Sequence, residues 1–478
     1  MMRSATPLLG LTVMPEYVQV EGIDRVIENV LRAGATAVCT APAVTELADE
    51  ATGAREPPSD AGAGSVRTLD RPLWGQTALF IRTAPSFAPN RELYGDGPYA
   101  PPPPQALTDR EGFIIRDFLK ACKRAGIETQ FQLMAAAPPA YRVQWRQTRP
   151  EDEPLTAWGS PVTGRVDANL TPASPGLRSY MRALIIDLVA NYPELDAIRF
   201  DWPEFPPYAP ESLLFDFNPF AIKRGQELGH DVEKIRADVL SFCRRINAPD
   251  ACAAFVNSFG RDGLTPDNLE AAGLSAFFAY RSALVVDYVR YLVDTVRDVS
   301  GGRLKVHLQG FPPPLNHLSG FDIAALDGLG CELGIKLYTM HWPMIERAYA
   351  ARLAGYAGMS EHDALCAVRR AFRFTRAEAE NVADVHYPEP NEPHRAADDV
   401  IGTKLRAARK AIKTSPFWAL AHGYGPTDDV LRRLQAAFVH GGGRVHMNRY
   451  GYLSDEKLGR IGSYIGSEQA AAAVARAR

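Results

Sequence analysis

The sequence predicts an α/β fold, a (β/α)₈ barrel interrupted by long helical insertions. Three observations predict it. Short apolar runs of strand length alternate along the chain with segments of helical periodicity. The runs centre near residues 9, 38, 130, 198, 306, 336, 419 and 446, which makes eight. Polar and aromatic bursts follow the carboxyl ends of these runs, where barrel enzymes place their chemistry. A doubly wound open sheet is the alternative topology with the same alternation.

The elements follow in order. Leu8 to Met14 reads as the first strand, Gly22 to Ala33 as a helix and Ala37 to Thr40 as the second strand. Residues 44–107 break the rhythm with Gly, Pro and Asp, including Pro101-Pro102-Pro103-Pro104, with one further strand at Ala78 to Arg82. Thr108-Asp109-Arg110-Glu111 has the form of a capping box and predicts a helix start there, with the helix running to Ala125 and a strand from Ile127 to Met134. Ser174-Pro175 opens another helix, because a hydroxyl N-cap is followed by a residue whose missing N–H costs nothing at the first helical position. Apolar residues at Leu177, Met181, Leu184, Ile185 and Leu188 continue it until Tyr192-Pro193 stops it, and Leu195 to Phe200 is the next strand. Residues 209–301 form a mostly helical insertion that ends in an amphipathic helix from Leu269 to Val299, a surface that also suits a homodimer. Leu304 to Gln309 is a strand, Phe321 to Leu329 a short helix and Gly334 to Tyr338 a strand. A second insertion covers 344–413 around the irregular run His386 to Arg395. Phe417 to Ala421, a helix from Thr427 to Val439, Val445 to Asn448 and a terminal helix complete the series. Residues 1–465 then form one barrel domain, and 466–478 a helical tail that frays.

Composition narrows the function. A net charge of -3 does not suit a general nucleic-acid or membrane-surface binder. No apolar run approaches the roughly 20 residues that span a bilayer, and the amino terminus does not read as a leader. The six cysteines are scattered with no CxxC pair, which points to a reduced cytoplasm rather than a disulfide framework or zinc site.

The stretch from Ser174 to Tyr208, SPGLRSYMRALIIDLVANYPELDAIRFDWPEFPPY, carries the most chemistry. Arg199 and Asp201 share one face of their strand, since the side-chain period is two, and a guanidinium beside a carboxylate keeps it ionised. Asn169, Ser174-Pro175, Asn191-Tyr192-Pro193 and Leu195 to Asp201 together resemble the fourth-strand region of TIM-barrel glycoside hydrolases. The resemblance is to poorly characterised bacterial glycosidase-like families with a YPxxDGIRxDWPE pattern, and it covers about 40 residues. It implies that Asp201 matches the nucleophile of the α-amylase and α-galactosidase kinds, and that Arg199 tunes it. The chain has Ala197 where such families have Gly, and no acid at the end of the fifth or sixth strand.

Glycoside cleavage uses two carboxyl groups, about 5 Å apart for retention and roughly 6.5–9.5 Å for inversion. Asp201 and Glu204 are the expected pair, with Glu204 protonated beside Trp202 as the acid. Glu16, Glu389 and Glu392 are the other possible partners. Gln130 and Gln132, His307 and Gln309, and Lys336 and Tyr338 alternate on their strands, which predicts a polar pocket near the top of the barrel. His341, Trp342, His422, Tyr424 and Asn448 extend the same rim, where aromatic faces stack on sugars and amides read hydroxyls. Gly441-Gly442-Gly443 reads as a helix cap at the opposite end, and His422-Gly423-Tyr424-Gly425-Pro426 as a sugar-contact loop. The expected activity is hydrolysis of a small or modified saccharide without a cofactor. A metal-dependent sugar isomerase, epimerase or lyase using Glu16, Asp201 and His307 is one alternative, and a non-catalytic carbohydrate-binding protein another.

Overall fold

Most barrel strands alternate apolar residues with polar ones, and the fold follows from which face meets the helices. A computed structural model describes residues 8–59, 61–142, 144–258, 263–374 and 379–476. The amino-terminal residues 1–7, part of the segment read as lacking a leader, and the last two residues of the tail lie outside this description. The barrel strands are β1 (Leu8–Thr12), β2 (Ala37–Thr40), β3 (Glu128–Met134), β4 (Ala197–Asp201), β5 (Lys305–Gly310), β6 (Glu332–Lys336), β7 (Phe417–His422) and β8 (Arg444–Asn448). They close in sequence order, β1 pairing with both β2 and β8, and every pairing is parallel. This is the closed (β/α)₈ barrel that the alternation predicts, not an open sheet.

Leu9, Leu11, Val38, Phe131, Leu133, Ile198, Phe200, Leu308, Leu333, Ile335, Val445 and Met447 are buried in one continuous core with the surrounding helices. The alternate positions point inward and are mostly polar: Thr12, Gln130, Gln132, Arg199, Asp201, His307, Gln309, Lys336, His422, His446 and Asn448 are buried or nearly so. Ring contacts across the lumen fix this orientation, with His307 on β5 5.8 Å from His446 on β8 and 6.0 Å from Trp418 on β7. Two glycines make room for these rings. A Cβ on Gly10 would lie 2.1 Å from His446, and one on Gly334 would lie 2.3 Å from Trp418.

The Ser174 start holds as read: Ser174 Oγ accepts from Leu177 N–H at 3.0 Å, and the helix runs Pro175–Asn191. The cap before β3 does not. The helix begins at Ala106 with Gln105 as N-cap, and Thr108 closes the box from the third helical position. The 44–107 excursion forms a three-stranded antiparallel sheet, ordered Ala43–Ala48, Leu79–Pro85, Ala54–Glu56, so the single strand expected there is its centre. The long helix after β4 spans Ser275–Ser300, and its apolar residues, including Tyr280, Leu284, Tyr288 and Leu292, are buried within the chain. Over its described length the tail is helical at Glu468–Arg476, with Ala470 and Ala473 buried and Val474 beside Gly443. None of the six cysteines is in a disulfide. No helix among the described residues is long and apolar enough to cross a membrane.

Candidate active site

A cavity opens at the carboxyl ends of the strands, with about 100 Å³ in which the centre of a water molecule can sit. Asp201, the last residue of β4, is the only acidic residue lining it among the described residues. Its Oδ1 lies 3.0 Å from Lys336 Nζ and accepts from Trp202 N–H at 2.9 Å, while Oδ2 accepts from Gln132 Nε2 at 3.2 Å. Three donors from β3, β6 and the chain just past β4 thus fix the carboxylate while leaving it at the cavity wall.

The partner of Asp201 differs from the expected one. Arg199 lies one layer deeper, fully buried, where its Nη2 donates to Thr12 Oγ1 at 2.7 Å and its guanidinium faces Trp418 at 5.9 Å. Sharing a strand face with Asp201 put it two residues away along the barrel axis, about 6–7 Å. The cation in contact comes from the end of β6, Lys336, which the sequence had placed only as a sugar contact.

Glu204 is also corrected. Trp202 adopts φ +49°, a left-handed conformation rare for a bulky residue, and the chain turns there. Glu204 consequently points away from the cavity into a closed site. Its oxygens accept from Phe311 N–H at 3.0 and 3.2 Å and from Ser319 Oγ at 2.6 Å, and Lys336 Nζ lies 3.3 Å away. Burial raises its pKa above the ordinary glutamate value, opposed chiefly by Lys336. Glu204 is not among the described residues that line the cavity. Lys336 joins the two carboxylates from behind the wall.

Trp202, Gln132, Tyr338, His341, His422 and Asn448 all line the cavity, as the alternation and rim position predict. Asn448 Nδ2 donates to Tyr338 Oη at 2.8 Å. Burial, and then the nearby Arg67, His341 and Arg449, hold His422 well below the usual histidine pKa, so it is neutral at pH 7. The remaining expected residues lie elsewhere. Glu16 is wholly buried against Arg142, at 2.8 and 3.1 Å. Gln309 and His307 face the lumen, and neither side chain has a hydrogen-bonding partner among the described residues. Trp342 stacks on Phe374 at 5.5 Å, under the Lys404 ammonium. Tyr424 Oη donates to Pro388 O at 2.9 Å and so ties down the Pro-rich segment. In that segment Glu392 accepts from His386 and from Glu389 N–H, and neither glutamate reaches the cavity.

Several lining residues carried no sequence signal. Tyr141, Arg142 and Gln144 come from the irregular connection after β3, and Arg67 and Pro58 from the excursion. Arg142 bridges Glu16 and Glu56, and Glu56 in turn meets Arg449 just past β8. Tyr208 Oη shares a hydrogen bond with His341 Nδ1 at 2.9 Å, and its ring meets Trp202 at 6.1 Å. Arg449 was within reach of sequence reading, since it follows a strand end closely. No group of three or more His, Cys, Asp or Glu among the described residues converges to hold a metal, and Glu16, Asp201 and His307 stand apart.

No family model matches the chain, and no curated protein matches it. Solved structures share its fold. It is similar to a β-galactosidase from the psychrophilic Marinomonas ef1, with a TM-score of 0.50 and 12% identity, over 96% of this chain and 59% of that one. It is also similar to the catalytic domain of a β-amylase from Paenibacillus polymyxa, with a TM-score of 0.49 and 9% identity, over 98% of both. A β-galactosidase from Bacillus circulans sp. alkalophilus gives 0.49 and 10%, over 96% of this chain and 56% of that one. The chain thus spans less than two thirds of the length of either β-galactosidase. At these identities the likeness concerns the barrel, which is of the kind glycosidases use.

Proposed function

We propose that this chain is a glycoside hydrolase acting on a small or modified saccharide, with Asp201 as its nucleophile or charge stabiliser. One observation carries the reading. Among the described residues Asp201 is the single acidic side chain at a mouth otherwise lined by aromatic, amide, imidazole, guanidinium and apolar groups, held there by three donors. Such a carboxylate suits a sugar whose anomeric carbon gains positive charge as the glycosidic bond breaks, because it is fixed before that charge develops. The cavity is narrow, which favours a short substrate.

Among the described residues the proton needed by the leaving oxygen has no second carboxyl to come from at this mouth. The Tyr208–His341 pair fills that role in our reading, since it lines the same cavity and is already joined by a hydrogen bond. Asp201 forms a bond to the anomeric carbon as the bond to the leaving oxygen breaks, and the pair supplies the proton. Water then displaces Asp201 and returns a proton to the pair. Glu204 acts in this reading through Lys336 and not on the sugar.

A second reading, a carbohydrate-binding barrel without turnover, is favoured by the same solitary carboxylate. The test is a panel of aryl α- and β-glycosides, with Asp201→Asn run in parallel. Wild-type turnover lowered by about a thousandfold or more in the variant is the expected result. Saturable sugar binding with no turnover by either protein would establish the second reading. Equal turnover by both would remove Asp201 from the mechanism.

A further inference from the structure

The polar groups at the Asp201 mouth divide into those served within the chain and those that are not. The charged groups are of the first kind. Arg142 donates to Glu16 at 2.8 and 3.1 Å and to Glu56 at 2.7 Å. Arg449 pairs with Glu56, and Arg67 donates to Pro58 O and to Tyr387 Oη. Asp201 has the Lys336 ammonium at 3.0 Å. A buried charge that is already paired gains little from a charged ligand, which must itself shed water to reach it.

The second kind is neutral. Thr40 Oγ1, Trp202 Nε1 and Asn448 Oδ1 are buried atoms of side chains that line the mouth, and none has a hydrogen-bonding partner among the described residues. An unserved buried polar atom costs free energy, so folded proteins satisfy nearly all of them from the chain, from water or from a ligand. Thr40 is only 1% exposed and Trp202 5%. The three atoms also come from opposite parts of the ring. Thr40 ends β2 and Asn448 ends β8, the two strands that flank β1, whereas Trp202 follows β4 on the far side. The left-handed backbone of Trp202, at φ +49°, is costly for a bulky residue and persists only where the surroundings enforce it, commonly at ligand sites. Its backbone N–H goes to Asp201 Oδ1 at 2.9 Å, and its indole N–H is left over. Asn448 is likewise half engaged, with Nδ2 donating to Tyr338 Oη at 2.8 Å. A hydroxyl that gives and accepts, an N–H and a carbonyl together match the hydroxyls around a sugar ring, and none of them offers a full charge.

We propose that Thr40, Trp202 and Asn448 form the recognition subsite of this mouth and select an uncharged sugar unit with free hydroxyls over its uronic-acid and amino-sugar counterparts. That the ligand is a sugar seated at Asp201 rests on the function proposed above.

The experiment is a saturation-transfer NMR titration of the whole chain at pH 7 with glucose, galactose and mannose, and with the uronate and the 2-amino counterpart of each. Free sugars are not substrates of hydrolysis, so binding is read whether or not the chain turns a glycoside over. The expected result is saturable binding of at least one neutral hexose, at a Kd about tenfold or more below those of its two charged counterparts. Thr40→Val removes the hydroxyl and keeps the shape. It is expected to raise that Kd by about five- to tenfold, while the melting temperature of the free protein stays the same or rises because an unserved buried hydroxyl is gone. Thr40→Ser keeps the hydroxyl and should stay within about threefold of wild type, and Trp202→Phe, which loses the N–H, should raise the Kd by about five- to tenfold. A charged counterpart bound as tightly, an unchanged Kd or a lowered melting temperature in Thr40→Val, or no saturable binding of any hexose would each overturn the proposal. The expected binding pattern without turnover of any aryl glycoside would sustain the subsite and defeat the hydrolase reading. Turnover lost in Asp201→Asn beside an unchanged Kd in Thr40→Val would do the reverse.

Discussion

Lys336 is the residue on which the site turns, because one ammonium group serves two carboxylates, Asp201 at 3.0 Å and Glu204 at 3.3 Å. All three are at least nine-tenths buried, so removing the cation leaves uncompensated charge. Lys336→Met is expected to cost about 3–5 kcal/mol of stability and to lower kcat along with it. Glu204→Gln keeps the shape and loses a buried acceptor charge, at about 1–3 kcal/mol, while turnover stays within about tenfold of wild type. Urea midpoints and kcat on the best aryl glycoside measure both. Turnover abolished in Glu204→Gln would restore Glu204 as the acid and overturn its assignment behind the wall. Asp201 and Trp202 were legible in the sequence because they stand at the end of one well-marked strand, whereas Tyr208, seven residues further on, was not. The orientation of Glu204 was not, because it depends on the positive φ of Trp202, which no residue pattern there announces. The choice of Lys336 over Arg199 depends on which neighbouring strand reaches the same height, a property of the closed barrel and not of β4.

At the scale of elements, the helix Asp398–Ala411 carries Lys404, which is fully buried with Nζ donating to Phe372 O at 2.8 Å and Pro313 O at 3.2 Å. Burial, aided by Arg373, pushes its amine down to about 7. The unfolded chain keeps that proton to about pH 10.4. Between these values the unfolded state binds more protons, so stability rises with pH across the window and is penalised in full below it. From pH 7 to 9 the wild type should gain up to about 2 kcal/mol relative to Lys404→Met, read as the difference in urea midpoints at the two pH values. A difference that stays constant with pH would mean that the amine is charged throughout. Most elements were legible because their periodicity is strong and their stops are Pro or Gly. The strand displaced at both ends by two residues is β6, expected at Gly334–Tyr338 and found at Glu332–Lys336. Glu332 reads as a turn residue in isolation, but Arg444 on β8 meets it at 2.7 Å, so a charged residue is accommodated at the strand start. The N-cap at Gln105 was missed for a related reason. An amide cap is a weaker signal than the hydroxyl of Thr108, and the true start is fixed by Thr108 reaching back to Gln105 N–H and to Pro85 O.

The barrel as a whole was legible because eight strand–helix units leave a strong rhythm even across three long insertions. What the irregular segments build was not legible, since the mouth takes Arg67 from the 44–107 excursion and Arg142 and Gln144 from the irregular connection after β3. The donor set also bears on the isomerase alternative. With Glu16 tied to Arg142 and His307 deeper in the lumen, a chelator should leave turnover of the aryl glycosides within about twofold of the untreated enzyme. Loss of activity that returns with a divalent cation would favour the alternative. The polar lumen has a consequence of its own. Barrels of this kind ordinarily fill their centre with branched apolar residues. Here the hydrophobic burial lies almost wholly outside the wall, between strands and helices, and the inside bears Arg199, His307, Gln309 and His446. The wall is therefore a sleeve held from without, and alternate positions along each strand answer to different demands. Residues facing the helices hold the sleeve shut, while those facing the bore could be exchanged to suit another guest without unpicking its seam.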